Sequence, residues 1–274
     1  MKDLPMRLAV AAIGIPILVF SILKGSVYFF FIICLISVVG QWEMYNLLKT
    51  KAMDAQRIAG ILLGLGLLYL VAFGRNDMLI IVLLLVTMYL FGSEMFRQKG
   101  SANLNIAATL MGIVYPTVFL SGLLFLRFNI HEILPKTEYN PGGIFVLTMF
   151  VSVWGCDTFA YFLGIAFGKH RLFERVSPKK SIEGAVAGLI GAILVFFLAR
   201  WIGLLVISDI LALTSGLIVG TVGQLGDLVE SWLKRDAAVK DSSSLLPGHG
   251  GMLDRFDSLM FIAPAFLILY LVYI

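Results

Sequence analysis

Apolar runs of about 20 residues recur along the whole chain and are separated by short polar segments. A helix of about 20 apolar residues crosses the roughly 30 Å hydrocarbon core of a bilayer. The pattern therefore predicts an all-α, polytopic integral membrane protein with about nine transmembrane helices. The fourth run is short, and the eighth becomes polar towards its end. The predicted spans are 7–24, 27–47, 58–74, 77–92, 104–126, 142–167, 183–205, 211–230 and 257–274.

The composition supports this fold class. Hydrophobic residues make up 59% of the 274 residues and charged residues only 14%, against roughly 25% charged residues in an average soluble domain. No soluble domain remains once the apolar runs are removed. Both cysteines, Cys34 and Cys156, lie inside apolar runs, so neither a disulfide framework nor a zinc site is indicated. The first run is interpreted as a retained helix, because SILKGS is a poor cleavage site.

Basic residues predict the orientation of the chain in the membrane. Placing the N-terminus in the cytoplasm puts the most basic connections on the cytoplasmic side, as the positive-inside rule requires. The net charge of +4 then reflects loops that face anionic headgroups, and binding of nucleic acid is not expected. The cytoplasmic basic segments are 49–57, 97–99 and 169–180, whereas Lys24, Arg75 and Arg200 are spread thinly on the other side.

The first group of polar residues is GQLGDLVESWLKRD, residues 223–236. If the eighth helix continues through it, Asp227, Glu230, Ser231 and Lys234 share one face, because they follow helical spacing. A helix that simply leaves the bilayer with solvated charges is the alternative. Asp227 favours a functional role, since it lies at the rim of the apolar run, where a charge is costly unless it is used.

The second group is LLPGHGGMLDRFDS, residues 245–258. Its proline and glycines prevent a regular helix, and glycines allow successive N–H groups to converge on an anion, although a merely flexible loop has the same composition. Asp254 and Asp257 could balance the dipole of the last helix, or they could bind a hard divalent cation such as Mg²⁺. Acids for a metal beside basic groups for phosphates are typical of phosphoryl or nucleotidyl transfer.

The third group is WGCDTFAYFLGIAFGKHRLFERVSPKKSIEG, residues 154–184. Asp157 lies in the middle of a span, so it is a functional candidate, with a polar contact between helices as the alternative. The basic connection that follows could determine topology, bind phosphate groups, or do both. Residues 177–180 are predicted to form a turn that places Lys179 and Lys180 near the headgroups.

Together these motifs resemble a known enzyme family. The pattern SxxKRxxxxKDxxxxxPGHGGxxDRxD, residues 231–257, is similar to the signature of CDP-diacylglycerol synthases, also called phosphatidate cytidylyltransferases. DTFAYFLGIAFGKHRLFERVSPKKSIEG and GQLGDLVES resemble segments that precede that signature. The resemblance covers a little under half of the chain, at its C-terminal end. The chain is therefore divided into N-terminal transmembrane helices, 1–140, and a C-terminal catalytic transmembrane region, 141–274.

The resemblance implies a metal-dependent reaction in phospholipid biosynthesis, in which CTP and phosphatidate give CDP-diacylglycerol and pyrophosphate. It implies Mg²⁺ or Mn²⁺ bound by Asp227 and Asp254, and it allows a monovalent cation such as K⁺. It also implies a homodimer with a polar cavity that opens to the cytoplasm and to lipid. The protein would lie in the inner membrane if its source is bacterial. The implied catalytic residues are Asp227, Lys234, Arg235, Lys240, Asp241, His249, Asp254 and Arg255. The implied substrate-binding residues are Asp157, Ser177, Lys179, Lys180, Ser231, Gly248, Gly250, Gly251 and Asp257.

Two alternatives remain at this point. A related CTP-dependent lipid enzyme, such as a polyprenol or phytol kinase or an archaeol cytidylyltransferase, would share C-terminal segments of this kind. A membrane transporter would explain many spans and an acid within the membrane, but it would not require a cytoplasmic cluster of acids and glycines. One departure from the family pattern concerns packing, since many relatives have an aromatic residue in place of Ile182.

Overall fold

Nine long helices and one short β-hairpin make up the described part of the chain. The computed structural model describes residues 4–74, 78–134, 140–246 and 248–273, so Arg75 and Pro247 lie outside the described residues. The helices are α1 Leu4–Lys24, α2 Ser26–Lys49, α3 Arg57–Phe73, α4 Met78–Arg97, α5 Ala102–Glu132, α6 Pro141–Phe167, α7 Ile182–Trp201, α8 Asp209–Asp236 and α9 Leu253–Tyr273. The hairpin consists of β1 Arg171–Phe173 and β2 Ser177–Ser181.

The predicted fold class is confirmed. Seven of these helices are long and apolar enough to cross a membrane, and α1 and α3 contain shorter apolar segments, Leu8–Lys24 and Arg57–Phe73. The protein is an integral membrane protein that is almost entirely α-helical. Several helices extend beyond their apolar runs: α4 ends at Arg97 and α9 already begins at Leu253. Polar residues at these ends continue the helix after the apolar pattern has stopped.

Helix α5 contains a π-helical turn at Val114–Val118. Pro116 lies within it, and proline has no N–H group to donate and clashes with the preceding turn of a regular α-helix. The side chain of Thr117 next to it is buried, and its hydroxyl lies 2.5 Å from both Ser37 Oγ and Gln41 Nε2. This hydrogen-bonded group joins α5 to α2 within the apolar interior.

Glycines allow close contact between the C-terminal helices. A Cβ atom at Gly188 on α7 would lie 3.0 Å from the carbonyl oxygen of Cys156 on α6, and one at Gly216 on α8 would lie 2.5 Å from Ile193 Cα on α7. Helices in lipid associate largely through such packing of small residues. Gly188 belongs to the segment AGLIGA, residues 187–192, in which Gly191 likewise packs against α6, with Phe159 Cγ 2.8 Å from the position of a Cβ atom.

The connection between α6 and α7 differs from the prediction. Residues 177–180 form strand β2, not a turn, and β2 pairs antiparallel with β1. Glu183, in the first turn of α7, accepts hydrogen bonds from the backbone N–H groups of Lys169 and His170 at 3.0 and 3.2 Å. Pairing with β1 and this anchor hold the segment extended, and neither contact is visible in the local sequence.

The last helix folds back against the eighth. Helices α8 and α9 pack together, and residues 237–252 make the reversal between them. Helix α8 continues to Asp236, as the sequence interpretation required for one shared polar face. The polar segments 223–236 and 245–258 therefore meet at one end of the helix bundle.

Candidate active site

A cavity of about 730 Å³ lies between α1, α2, α6, α8 and α9. It is amphipathic, since charged and polar residues line one part and apolar helix faces line another. The polar residues are Asp157, Asp227, Lys234, Asp241, His249, Asp254, Arg255 and Asp257. The apolar residues include Val10, Ala11, Ile15, Leu18, Ile32, Leu35, Ile36, Phe150 and Val153.

A second cavity, of about 450 Å³, lies beside the hairpin. Lys179 and Lys180 line it, together with Gln224 of α8. Asp157 and Asp227 line both this cavity and the larger one. The two cavities therefore adjoin at this pair of carboxylates.

Asp227 is held by two polar partners. Lys180 Nζ of the hairpin lies 2.5 Å from Asp227 Oδ2. One turn further along α8, Ser231 Oγ donates to Asp227 Oδ1 at 3.4 Å. The structure thus brings Lys180 and Ser231, two predicted substrate-binding residues, to the acid at which the cavities meet.

Lys234 lies between two acids. Its ammonium group is 2.6 Å from Glu230 Oε2 on the same helix and also contacts Asp254 Oδ1 on α9. The side chains of Glu230 and Asp254 are only 2% and 5% exposed. Lys234 therefore joins α8 to α9 through a buried ion cluster whose positive charge is already balanced by carboxylates.

The carboxylate of Asp254 has several donors around it. Its Oδ2 atom accepts from Ser242 N at 2.9 Å and Gly251 N at 2.7 Å and lies 2.8 Å from Ser242 Oγ, while Oδ1 faces Lys234. These contacts occupy Oδ2, so Oδ1, beside Lys234, is the atom of Asp254 that has acceptor capacity left for a metal ion. No group of three or more His, Cys, Asp or Glu side chains is arranged for a metal ion within the described residues.

The glycine segment forms a tight turn. Gly248 and Gly250 have φ angles of 76° and 81°, in the left-handed region that side chains disfavour. The backbone N–H of His249 donates to Leu246 O at 2.8 Å, and Leu246 N donates to Gly250 O at 2.9 Å. His249 in this turn is one of the residues that line the larger cavity.

Seven predicted site residues do not line either cavity: Ser177, Ser231, Arg235, Lys240, Gly248, Gly250 and Gly251. Arg235 is exposed and donates to the carbonyl oxygen of Val239 at 3.0 Å, within its own segment. Lys240 is exposed as well, and Ser177 lies at the start of β2. Arg255 and Asp257, in contrast, line the larger cavity from the first turns of α9.

Comparison with known proteins decides the family. A model of the cytidylyltransferase family matches residues 5–273. The chain belongs to this family. It is 33% identical over 273 residues to a phosphatidate cytidylyltransferase of Staphylococcus saprophyticus, covering 94% of this chain and 95% of that one. The phosphatidate cytidylyltransferase of Bacillus subtilis is 31% identical over 273 residues, 96% of each chain. A Staphylococcus haemolyticus relative of the same name is 46% identical over 125 residues, 46% of this chain and 48% of its own.

Membership of the cytidylyltransferase family makes the protein a nucleotidyltransferase of the membrane, as the C-terminal motifs predicted. The match extends over the N-terminal helices as well as the C-terminal motifs. This agrees with the structure, in which α1 and α2 line the larger cavity.

Sequence reasoning missed two polar residues that hold the site together. Glu43 of α2 is 2% exposed and accepts hydrogen bonds from residues 242–253. Ser242 is buried and lies between Glu43 and Asp254. An acid inside an apolar run was the available signal at Glu43, but nothing in the local sequence indicated which segment it would contact.

Proposed function

We propose that the protein is a phosphatidate cytidylyltransferase, which makes CDP-diacylglycerol and pyrophosphate from CTP and phosphatidate. The main support for this proposal is the larger cavity, which has charged residues at one end and apolar helix faces at the other. A substrate with a phosphate head and acyl chains matches both parts. The names of the relatives and the C-terminal signature support the same reaction.

The two adjoining cavities suit two substrates that react with each other. The phosphate of phosphatidate would lie at the charged end of the larger cavity, with its acyl chains against α1 and α2. The smaller cavity, with Lys179 and Lys180, would hold phosphates of CTP. Asp157 and Asp227 lie where the substrates would meet, so the geometry allows attack from one side and departure of pyrophosphate on the other.

The chemical step needs positioning more than a base. A phosphatidate oxygen attacks the α-phosphorus of CTP, and the bond from that phosphorus to the pyrophosphate oxygen breaks. The attacking phosphate is already ionised, so no strong general base is required. Arg255 and the hairpin lysines would reduce the repulsion between the two anions. We assign His249 to the turn and to phosphate binding, since it is one of the residues that line the cavity.

A divalent cation, Mg²⁺ or Mn²⁺, fits the carboxylates at the junction of the cavities. Mg²⁺ commonly takes only one or two protein carboxylates together with substrate phosphates and water, so a complete protein cage is not needed. We propose Asp227 as the principal ligand. When bound, the metal would neutralise charge that develops on the α-phosphate of CTP and on the departing pyrophosphate. Asp254 as a second ligand and K⁺ as a further cation stay predictions.

We also propose that the N-terminus and the active site face the cytoplasm, in the inner membrane if the source is bacterial. The basic connections support this orientation, and CTP is a cytosolic nucleotide. The homodimer that the resemblance implies stays a prediction.

The proposal is tested by pyrophosphate release from the detergent-purified protein given CTP, Mg²⁺ and phosphatidate. We expect release that requires both the lipid and the metal, together with a CDP-lipid product. Omission of lipid, replacement of phosphatidate by a polyprenol, and addition of EDTA serve as controls. Turnover with polyprenol alone would reassign the acceptor, and no turnover of CTP with any lipid would favour a transporter.

A further inference from the structure

Glu43 links the N-terminal helices to the segment that carries the C-terminal signature. It lies on α2 and is 199 residues before Ser242, with which it shares a hydrogen bond. Each of its carboxylate oxygens accepts two hydrogen bonds from residues 242–253. Oε1 accepts from Ser243 Oγ at 2.6 Å and Met252 N at 2.9 Å, and Oε2 accepts from Ser242 Oγ and Leu253 N, both at 2.9 Å.

Two of these donors are backbone N–H groups at the start of α9. The first N–H groups of a helix have no partner within it, and a negative charge near them is favourable. Glu43 supplies that charge from a different helix. The contact therefore sets the position at which α9 begins, and Asp254, Arg255 and Asp257 follow directly.

The contact leaves no free space around it. A Cβ atom at Gly251 would lie 2.0 Å from Ser242 Oγ and 2.6 Å from both carboxylate oxygens of Glu43. Ser242 Oγ is also 2.8 Å from Asp254 Oδ2. A displacement of Glu43 would therefore shift the Ser242 side chain, and through it Asp254 and the Lys234 ammonium group that contacts Asp254.

We propose that Glu43 is a positioning residue for catalysis, which fixes the start of α9 and thereby the Asp254–Lys234 pair relative to Asp227. Glu43 does not line either cavity, so it acts through residues 242–254 and not on substrate. This inference rests on the proposed cytidylyltransferase reaction, because its effect is measured on that turnover.

The test compares Glu43→Gln with Glu94→Gln. Glutamine has the shape of glutamate, but its amide NH₂ group cannot accept hydrogen bonds, so half of the contact is lost. Glu94 is a matched control, because it is 4% exposed and accepts hydrogen bonds from Gln56, Arg97 and Asn105 at 2.8 Å, away from both cavities. Both substitutions alter a buried carboxylate, but only one touches the signature segment.

We expect Glu43→Gln to lower kcat by about tenfold to a hundredfold, since small misplacements of reacting groups have effects of this size. The KM for phosphatidate should change less than kcat, because the apolar wall that α1 and α2 contribute for the acyl chains remains in place. Hydrogen exchange at the amides of Met252 and Leu253 should accelerate. In Glu94→Gln, kcat per folded molecule and exchange at these two amides should match the wild type.

Unchanged kcat in folded Glu43→Gln would overturn the proposal, and so would an equal loss of kcat in both variants. If Glu43→Gln does not fold, Ser243→Ala removes a single donor to Oε1 and should lower kcat by a smaller factor; a wild-type kcat there would also overturn the proposal. An inactive wild-type protein would instead speak against the proposed reaction, whereas the exchange measurement reports on the Glu43 contact independently of turnover.

Discussion

At the scale of single residues, Lys234 has a buried ammonium group between the carboxylates of Glu230 and Asp254. Removing one member of a buried ion cluster leaves charges without compensation, which is costly in a low-dielectric environment. Lys51, in contrast, pairs with Asp236 at 3.1 Å on the surface, where the side chains are 44% and 60% exposed. The Lys234 cluster thus differs from the Lys51–Asp236 pair in its burial and in its second carboxylate.

We therefore expect Lys234→Met to destabilise the protein by about 3–5 kcal/mol and to abolish turnover. Lys51→Met should cost less than about 1 kcal/mol, because exposed pairs are screened by water. Thermal unfolding of both variants in the same detergent measures the difference. Equal melting temperatures would contradict the buried-cluster interpretation.

Asp227 is the residue for which the proposed metal role is most directly testable. Asp227→Asn keeps the size of the side chain but removes its charge, so turnover should fall by at least about a hundredfold. Binding of Mn²⁺, followed by electron paramagnetic resonance, should weaken in parallel. Asp209→Asn is the control, because Asp209 lies at the start of α8, where it pairs with Arg200 at 3.0 Å. Near-normal activity of Asp227→Asn would remove this residue from the metal site.

At the scale of elements, the β-hairpin connects a sequence pattern to the second cavity. The basic loop was open to two interpretations, a topology signal or a binding site for phosphates. The structure places Lys180 beside Asp227 and lines a cavity with both lysines. Arg175, at the tip of the hairpin, is exposed and lines neither cavity. It can therefore serve as a control for substitutions of Lys179 and Lys180.

We expect the double substitution Lys179→Ala and Lys180→Ala to raise the KM for CTP by about tenfold or more, since each charge-assisted contact with a phosphate is worth about 1.5–3 kcal/mol. Arg175→Ala should leave the KM for CTP unchanged. Steady-state kinetics with CTP varied at saturating phosphatidate measure both values. If the double variant behaves as the wild type, the hairpin is only a topology signal.

At the scale of the whole molecule, the larger cavity joins helices from both ends of the chain. Helices α1 and α2 line its apolar part, and α8 and α9 contribute most of its charged part. The division at residue 140 stays a prediction about organisation, but this cavity uses elements on both sides of it. The N-terminal helices therefore contribute to the cavity that we propose as the phosphatidate site, and not only to anchoring.

Gly14 tests the role of this apolar wall. It lines the cavity on α1, and a Cβ atom there meets no other atom within 4 Å. Gly14→Leu should fill part of the space and lower kcat/KM for long-chain phosphatidate about tenfold relative to a short-chain form. Gly66→Leu on α3 also points into open space, but outside the cavity, and should not change this ratio. If the ratio of kcat/KM for long-chain to that for short-chain phosphatidate is equal in the two variants, α1 does not bind the acyl chains.

Much of the protein was predictable from local patterns. Apolar runs indicate membrane helices because each backbone polar group in lipid needs a partner within its own segment. Nine runs were predicted, and the described residues form nine long helices. The polar face of α8 followed from helical spacing, and the glycine turn followed from glycine content. The extended hairpin at residues 177–180 was not predicted, because it depends on β1 and on Glu183.

The sequence by itself determined the fold class, the family and the chemical character of the site, since these depend on hydropathy and on short motifs. Only the tertiary structure decided which charges meet. The contacts of Lys180 with Asp227, Lys234 with Asp254 and Glu43 with residues 242–253 join segments separated by 47, 20 and about 200 residues. Such contacts depend on how the helices pack in three dimensions, and no local pattern in the chain encodes them.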